Sequence, residues 1–281
     1  MTQTYHLDPA MPVLLRPDGA VQVGWDPRRA VLVRPPRGLN SAALAGVLRM
    51  MRSTVKLDDV HRALSDVPAA DVTALIDSLV TAGVARPSRA RTDGRAASIR
   101  VHGCGPLSDL LVETLQHSGI RVMHSSAPHV VIRAESTDLV VLSDFLVADP
   151  HLVRDLHDAG IPHLLVRVRD GIGLVGPMVI PGKTSCLGCA DLHRSDRDEA
   201  WPALAAQLRD TVGIADRSTV MATVALALGQ VQAVVDAVTT SPRHTAAGRP
   251  APSTLSATLE FDVNAGSIAT RHWPRHPLCP C

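Results

Sequence analysis

The chain has 281 residues, enough for one large domain or two ordinary ones, and 46% of them are hydrophobic, enough for a sizeable core. A formal net charge of +1 excludes a global electrostatic pull toward nucleic acid or an acidic membrane surface. Aromatic residues make up only 2%, which removes the stacking platforms that single-stranded nucleic acid needs and leaves the core to Ala, Val, Leu and Ile.

The first residues, through Gly19, carry no basic stretch followed by an apolar run, so no signal peptide is expected. No stretch approaches the ~20 apolar residues a membrane helix needs. The longest candidate, residues 220–238, is broken by Thr223, Gly229, Gln230, Gln232 and Asp236. The expectation is a soluble cytoplasmic protein, where thiols stay reduced and close cysteine pairs read as metal ligands before disulfides.

In chain order, residues 11–15 form an apolar strand candidate, Pro17-Asp18-Gly19 a turn, and Val21 and Val23 alternate with Gln22 to complete a hairpin. Residues 30–33 give a third strand. Helical spacing follows at Leu44, Val47 and Leu48, at Val60 and Leu64, and at Val72, Leu75, Ile76, Leu79 and Val80. Strands followed by helices predict a small winged-helix-like α+β module over residues 1–90. The polar, basic stretch from Arg86 to Ser98 reads as a linker, with the link itself at residues 91–98.

Residues 99–281 read differently. A strand at 99–101 runs into Gly103-Cys104-Gly105, then a helix at 107–118 and a strand at 120–123. Residues 130–133 are a further strand candidate. Residues 139–142 are a fully apolar strand of the buried parallel kind, followed by a helix at 150–159 and a strand at 161–168. This alternation predicts a doubly wound α/β sheet.

Four of the five cysteines fall into two close pairs, Cys186-Leu187-Gly188-Cys189 and Cys279-Pro280-Cys281. Four thiolates suit tetrahedral zinc with Zn–S near ~2.3 Å, and a site filled by protein ligands is structural. His276 is a substitute for Cys281 as fourth ligand. The competing readings are unrelated cysteines or a redox C-x-x-C.

The turn Gly103-Cys104-Gly105-Pro106-Leu107-Ser108 lies between strand and helix, where backbone N–H groups can meet a phosphate. Ser108 stands where a third glycine is expected, Pro106 removes a donor, and Met123-His124-Ser125 replaces the usual acidic residue. A turn of the right shape that binds no nucleotide is the competing reading. The charged run from Asp191 to Asp198 reads either as a partner surface or as a solvated helix start.

The segments from Gly160 to Val166, from Gly173 to Gly182 and from Thr184 to Arg194 resemble the ThiF/MoeB-like family, relatives of ubiquitin-activating enzymes. The ending Arg271 to Cys281 narrows the resemblance to the branch found in azole-forming peptide biosynthesis (thiazole/oxazole-modified microcins). The resemblance covers roughly residues 97–281. It implies a Rossmann-like fold with a zinc clamp, usually homodimeric, and in active members ATP and magnesium at the Gly103 and Gly105 loop for adenylating a carrier protein's C-terminus. Asp144 matches the position of the family's metal-binding aspartate, while Ser108 and the missing ribose-binding acid depart from the pattern. The N-terminal module resembles the leader-peptide-recognition winged helix of such pathways. That implies a peptide strand added beside residues 13–33 and packed on a helix over residues 71–82, with a partner modifying enzyme. A DNA-binding winged helix would need a basic third helix, which Asp71 and Asp77 argue against.

Overall fold

The computed structural model describes residues 3–88, 96–127, 132–239 and 251–281. The chain divides into two compact units, Met1–Asp93 and Gly94–Cys281.

The first unit contains β1 (Thr4–Leu7), β2 (Val13–Leu15), β3 (Val21–Val23), β4 (Val31–Val33), α1 (Ser41–Met50), β5 (Val55–Lys56), α2 (Leu57–Ala63), α3 (Ala69–Thr81) and β6 (Ala85–Ser88). Strands β2, β3 and β4 form the expected antiparallel meander, with Leu14 opposite Gln22 and Gln22 opposite Leu32. Alternation sends Val13, Val21, Val23 and Val33 into the core and turns Leu14 and Leu32 outward, where Leu32 is 55% exposed. The turn between β2 and β3 closes at Gly19, whose φ of 80° suits glycine. Helix α1 starts where the Asn40 side chain accepts from the Ala43 N–H at 2.8 Å, and it buries Leu44, Val47 and Leu48. Helix α3 buries Val72, Leu75, Ile76 and Leu79 on one face.

A second small sheet, ordered β5-β1-β6, is an addition to the sequence expectation. Strand β5 has two residues, too few to show a period. Strand β6 contains Pro87 and overlaps the stretch read as linker from Arg86. Proline is tolerated there because β6 is an edge strand, pairing only with β1.

The second unit contains β7 (Ser98–His102), α4 (Pro106–Gln116), β8 (Arg121–Ser125), β9 (Leu139–Ser143), α5 (Pro150–Asp158), β10 (His163–Arg169), β11 (Ile172–Val179), α6 (Leu187–Ser195), α7 (Trp201–Leu208), α8 (Arg217–Thr239), β12 (Ala257–Asp262) and β13 (Ser267–His272). The strand candidate at residues 130–133 falls on and beside residues 128–131, outside the described residues. One seven-stranded sheet runs β13-β12-β11-β10-β9-β7-β8. Strands β8, β7, β9 and β10 are parallel, as expected. Strands β11, β12 and β13 continue the sheet antiparallel, which corrects the purely doubly wound reading. Gly173, Gly176 and Pro177, in a segment given no secondary structure from the sequence, lie inside β11. Gly173 is small because Thr223 of α8 packs where a Cβ would stand.

Both faces of the parallel half are covered. Leu139 and Val141 of β9 face α4 and α8, with Leu111, Val220 and Val224. Val140 and Leu142 face α5 and α6, with Leu152, Leu156 and Leu187. Helix α8 is long and apolar enough to cross a membrane by length and composition alone, contrary to the sequence expectation that no stretch comes close. It buries Thr219, Val220, Thr223, Val224, Ala227 and Val231, as a core helix does.

Candidate functional site

Two constellations stand at the ends of this sheet. The first is the cysteine cluster. Cys186 and Cys189 flank the first turn of α6, and the C-terminal tail brings Cys279 and Cys281 to them. The Sγ separations are 3.4 Å for Cys186–Cys279, 3.3 Å for Cys189–Cys281 and 3.9 Å for Cys186–Cys189. All four sulfurs lie within 4.8 Å of one another. A tetrahedron with Zn–S bonds of ~2.3 Å spaces its sulfurs about 3.8 Å apart, so these four fit a metal ion such as zinc. The spacings are far beyond a disulfide bond, and all five cysteines are free. Gly188 lies against the cluster, where a Cβ would make ordinary contact with the Cys186 and Cys279 sulfurs at 3.4 and 3.7 Å.

Burial pushes the Cys186 thiol well up. Burial would raise Cys189 too, but the N–H groups of His276 and Cys186, with the thiols of Cys281 and Cys279, hold it down at about 7. His276 is not aimed at the sulfurs. Its Nε2 donates to Asp196 at 2.8 Å and its Nδ1 accepts from the Leu278 N–H at 3.1 Å. Both ring nitrogens are used, which sets aside His276 as the fourth ligand.

The charged run from Asp191 to Asp198 occupies the second half of α6 and the residues after it, half-buried up to Ser195 and exposed from Asp196. Asp191 accepts from Arg194 at 2.7 Å and from the Trp201 indole at 3.3 Å. Arg194 lies over the rings of Trp201 and Trp273, at 5.1 and 4.7 Å from their centroids. Together with Asp196 and His276, this network ties α6 to the tail that carries Cys279 and Cys281.

The second constellation is the turn from Gly103 to Ser108. It brings Gly103, Gly105 and Asp144 together, and the aspartate fills the turn. Asp144 follows β9, and its carboxylate accepts from the Leu107 N–H at 2.9 Å, the Ser108 N–H at 3.1 Å and the Ser108 hydroxyl at 2.6 Å. These N–H groups belong to the first turn of α4, where an anion gains from the helix dipole. The Gly105 N–H donates to Ser108 Oγ at 3.0 Å. A Cβ on Gly105 would come within 2.8 Å of the Asp144 carboxylate, so the glycine serves the closeness of this aspartate. Asp144 holds φ at 71°, a left-handed conformation that costs order 1 kcal/mol for a residue other than glycine. Its backbone is fixed there by Asp144 N–H to Val166 O at 3.1 Å and by Gly213 N–H to Asp144 O at 3.1 Å. On the opposite side, the His124 ring shares a hydrogen bond with the Gly103 carbonyl at 3.0 Å, from the position where a ribose-binding acid is expected.

Sequence reasoning missed three participants. Ser108 counted only as a lost glycine. His124 stood only as an absence of acid. Arg167 was passed over inside a strand, although a charged residue in a run buried on both faces is itself a signal.

No family model matches the chain, and no curated protein matches it. Solved structures do. The heterocyclase TruD aligns with a TM-score of 0.69 at 17% identity, covering 99% of this chain and 42% of that one. A heterocyclase in complex with substrate and cofactor aligns at 0.69 and 15%, covering 99% and 39%. MccB from E. coli with ATP aligns at 0.60 and 13%, covering 99% of both chains. At these identities the likeness shows a shared fold. The chain spans about two-fifths of the length of the heterocyclases.

Proposed function

We propose that this chain is a zinc-stapled, ThiF-like scaffold that binds a precursor (leader) peptide through its first unit and presents it to a partner modifying enzyme, without ATP turnover of its own. The observation that carries the last part is Asp144. The N–H groups that would receive a phosphate at the start of α4 already donate to its carboxylate. A nucleotide would have to displace a buried, charge-assisted set of hydrogen bonds, which costs several kcal/mol. The fold shared with heterocyclases over two-fifths of their length supports a division of labour, with the chemistry carried by a partner.

Cys186, Cys189, Cys279 and Cys281 would hold zinc. Four protein ligands leave no open position, so zinc bound there contributes folding free energy and no catalysis. The peptide would add as a strand to the meander β2-β3-β4, whose outer edges have no strand partner among the described residues, and pack against α3. We place the protein in the cytoplasm as a homodimer. The test is fluorescence anisotropy of labelled candidate precursor peptides. Leu32→Pro should abolish binding without lowering zinc content; unchanged binding would contradict strand addition at this edge.

A second reading is an active adenylyltransferase, using Gly103, Gly105 and Asp144 with ATP and magnesium to activate the C-terminus of a carrier protein or peptide. The full-length alignment with MccB, solved with ATP, favours it. ATP–pyrophosphate exchange in the presence of a carrier supports that reading if it appears and removes it if it does not.

A further inference from the structure

A cavity of about 540 Å³ opens between α5, the strands β10 and β11, and the cysteine loop. Its walls are mainly apolar, with Val147, Val153, Leu165, Pro177 and Leu187 among them. One of the arginines in its lining, Arg167, is buried and hydrogen-bonds a carbonyl rather than a carboxylate. Arg167 is 6% exposed. Its guanidinium donates one Nη1 hydrogen to the Leu146 carbonyl, while its Nε finds no partner among the described residues. The other cavity arginine within the fold, Arg194, is satisfied by Asp191 and by two indole rings. At the mouth, exposed Arg154 and Asp158 offset each other in sign. Cys186, Cys279 and Cys281 line the far side of the cavity, so any thiolate charge sits on that wall and makes no ion pair with the Arg167 guanidinium.

Burying a guanidinium without a direct ion pair is strongly unfavourable. Enclosure, with Arg194 and Arg169 nearby, pulls Arg167 down to about 9 against the opposing pull of Asp191 and Glu260, so it still carries its charge at neutral pH.

We infer that this cavity is a binding site for a monoanionic organic acid, whose carboxylate meets the Arg167 guanidinium and whose apolar body fills the space toward Leu165 and Leu187. The size is that of a small-molecule site, mostly apolar with few convergent polar groups. The mainly apolar wall disfavours the second charge of a phosphate dianion, and the planar fork of arginine matches a carboxylate's two oxygens. This inference does not depend on the peptide-presentation reading.

Zinc-loaded, full-length protein is titrated calorimetrically with hexanoate, hexanamide and inorganic phosphate. Hexanoate should bind at least 10-fold more tightly than hexanamide, and phosphate should give no saturable heat. Arg167→Met, which keeps the length and removes the charge, should lose hexanoate binding by more than 10-fold and melt at a higher temperature than the ligand-free parent. Equal binding of hexanoate and hexanamide, or no binding of hexanoate by the parent, overturns the proposal. So does loss of zinc from Arg167→Met with no hexanoate heat in the parent, because the thiolate cluster would then be the counter-charge. If Arg167→Met does not fold, the comparison of hexanoate with hexanamide on the parent decides alone.

Discussion

The cysteine cluster and the Gly103–Ser108 turn each gather groups of one kind around a point, and they leave that point in opposite conditions. Around the first, four sulfurs converge, and no carboxylate, amine or guanidinium of the protein bonds to them among the described residues. Around the second, the N–H groups of Leu107 and Ser108 converge and Asp144 already answers them. The first site needs something from outside to be complete. The second is complete from within, through a residue 36 positions away in sequence. Similar local motifs can therefore mean opposite things, and the difference lies in whether the protein supplies the complement.

The largest effect should come from opening the cysteine site. The purified chain should contain about one zinc, and Cys186→Ser should lose it and melt on the order of 10 °C lower, as expected for a few kcal/mol in a domain of this size. Metal analysis and calorimetry check this. Retained zinc and an unchanged melting temperature would remove the parallel between converging donors and a missing ion.

Next comes pH, which separates the zinc-side sheet from its buried histidine. His163 in β10 is held down at about 4, because burial disfavours its charged form; the Ile161 carbonyl pulls weakly the other way and His157 adds to the lowering. The unfolded chain takes up this proton near the ordinary 6.5, the folded chain only near 4. Stability is therefore full above about pH 6.5 and is lost as pH falls toward 4, by order 3 kcal/mol. His163→Leu should flatten that part of the curve in urea unfolding, and the difference between the two curves isolates its share from any loss of zinc. Parallel curves would show that His163 does not contribute.

Removing the internal complement of the second site should cost less. Asp144→Ala leaves two first-turn N–H groups of α4 without an acceptor, an expected loss of about 2 kcal/mol. It should also convert the turn into an open anion site. Inorganic phosphate should then raise the melting temperature of the variant and leave the parent unchanged. Equal responses would break the contrast between the two sites. The smallest effect belongs to an ordinary cap. Asn40→Ala removes one exposed side-chain acceptor from α1, with an expected cost of about 1 kcal/mol and no response to phosphate.

How far the sequence could be read follows the same division. The cysteine pairs were legible because residues three and two apart in a turn must lie close, and two such pairs invite one ion. The parallel core was legible because Leu139 to Leu142 is apolar without interruption, as only a strand covered on both faces is. Strand β11 was not legible because Gly173, Gly176 and Pro177 are poor strand formers, and only the packing of α8 on Gly173 explains the first of them. Strands β1, β5 and β6 were too short or too polar to show a period. The role of Asp144 was half legible: an acid after a buried strand stands out, but its hydrogen bonds to α4 depend on β7 and β9 lying side by side. Arg167 was half legible too: a charge inside a buried strand stands out, but its surroundings depend on what packs around β10.

The account's central claim is that the α4 turn is occupied by Asp144 and so takes no nucleotide. Isothermal titration of the zinc-loaded full chain with ATP and magnesium tests it most directly. The account predicts no saturable heat up to millimolar ATP. Binding with a micromolar dissociation constant would contradict it.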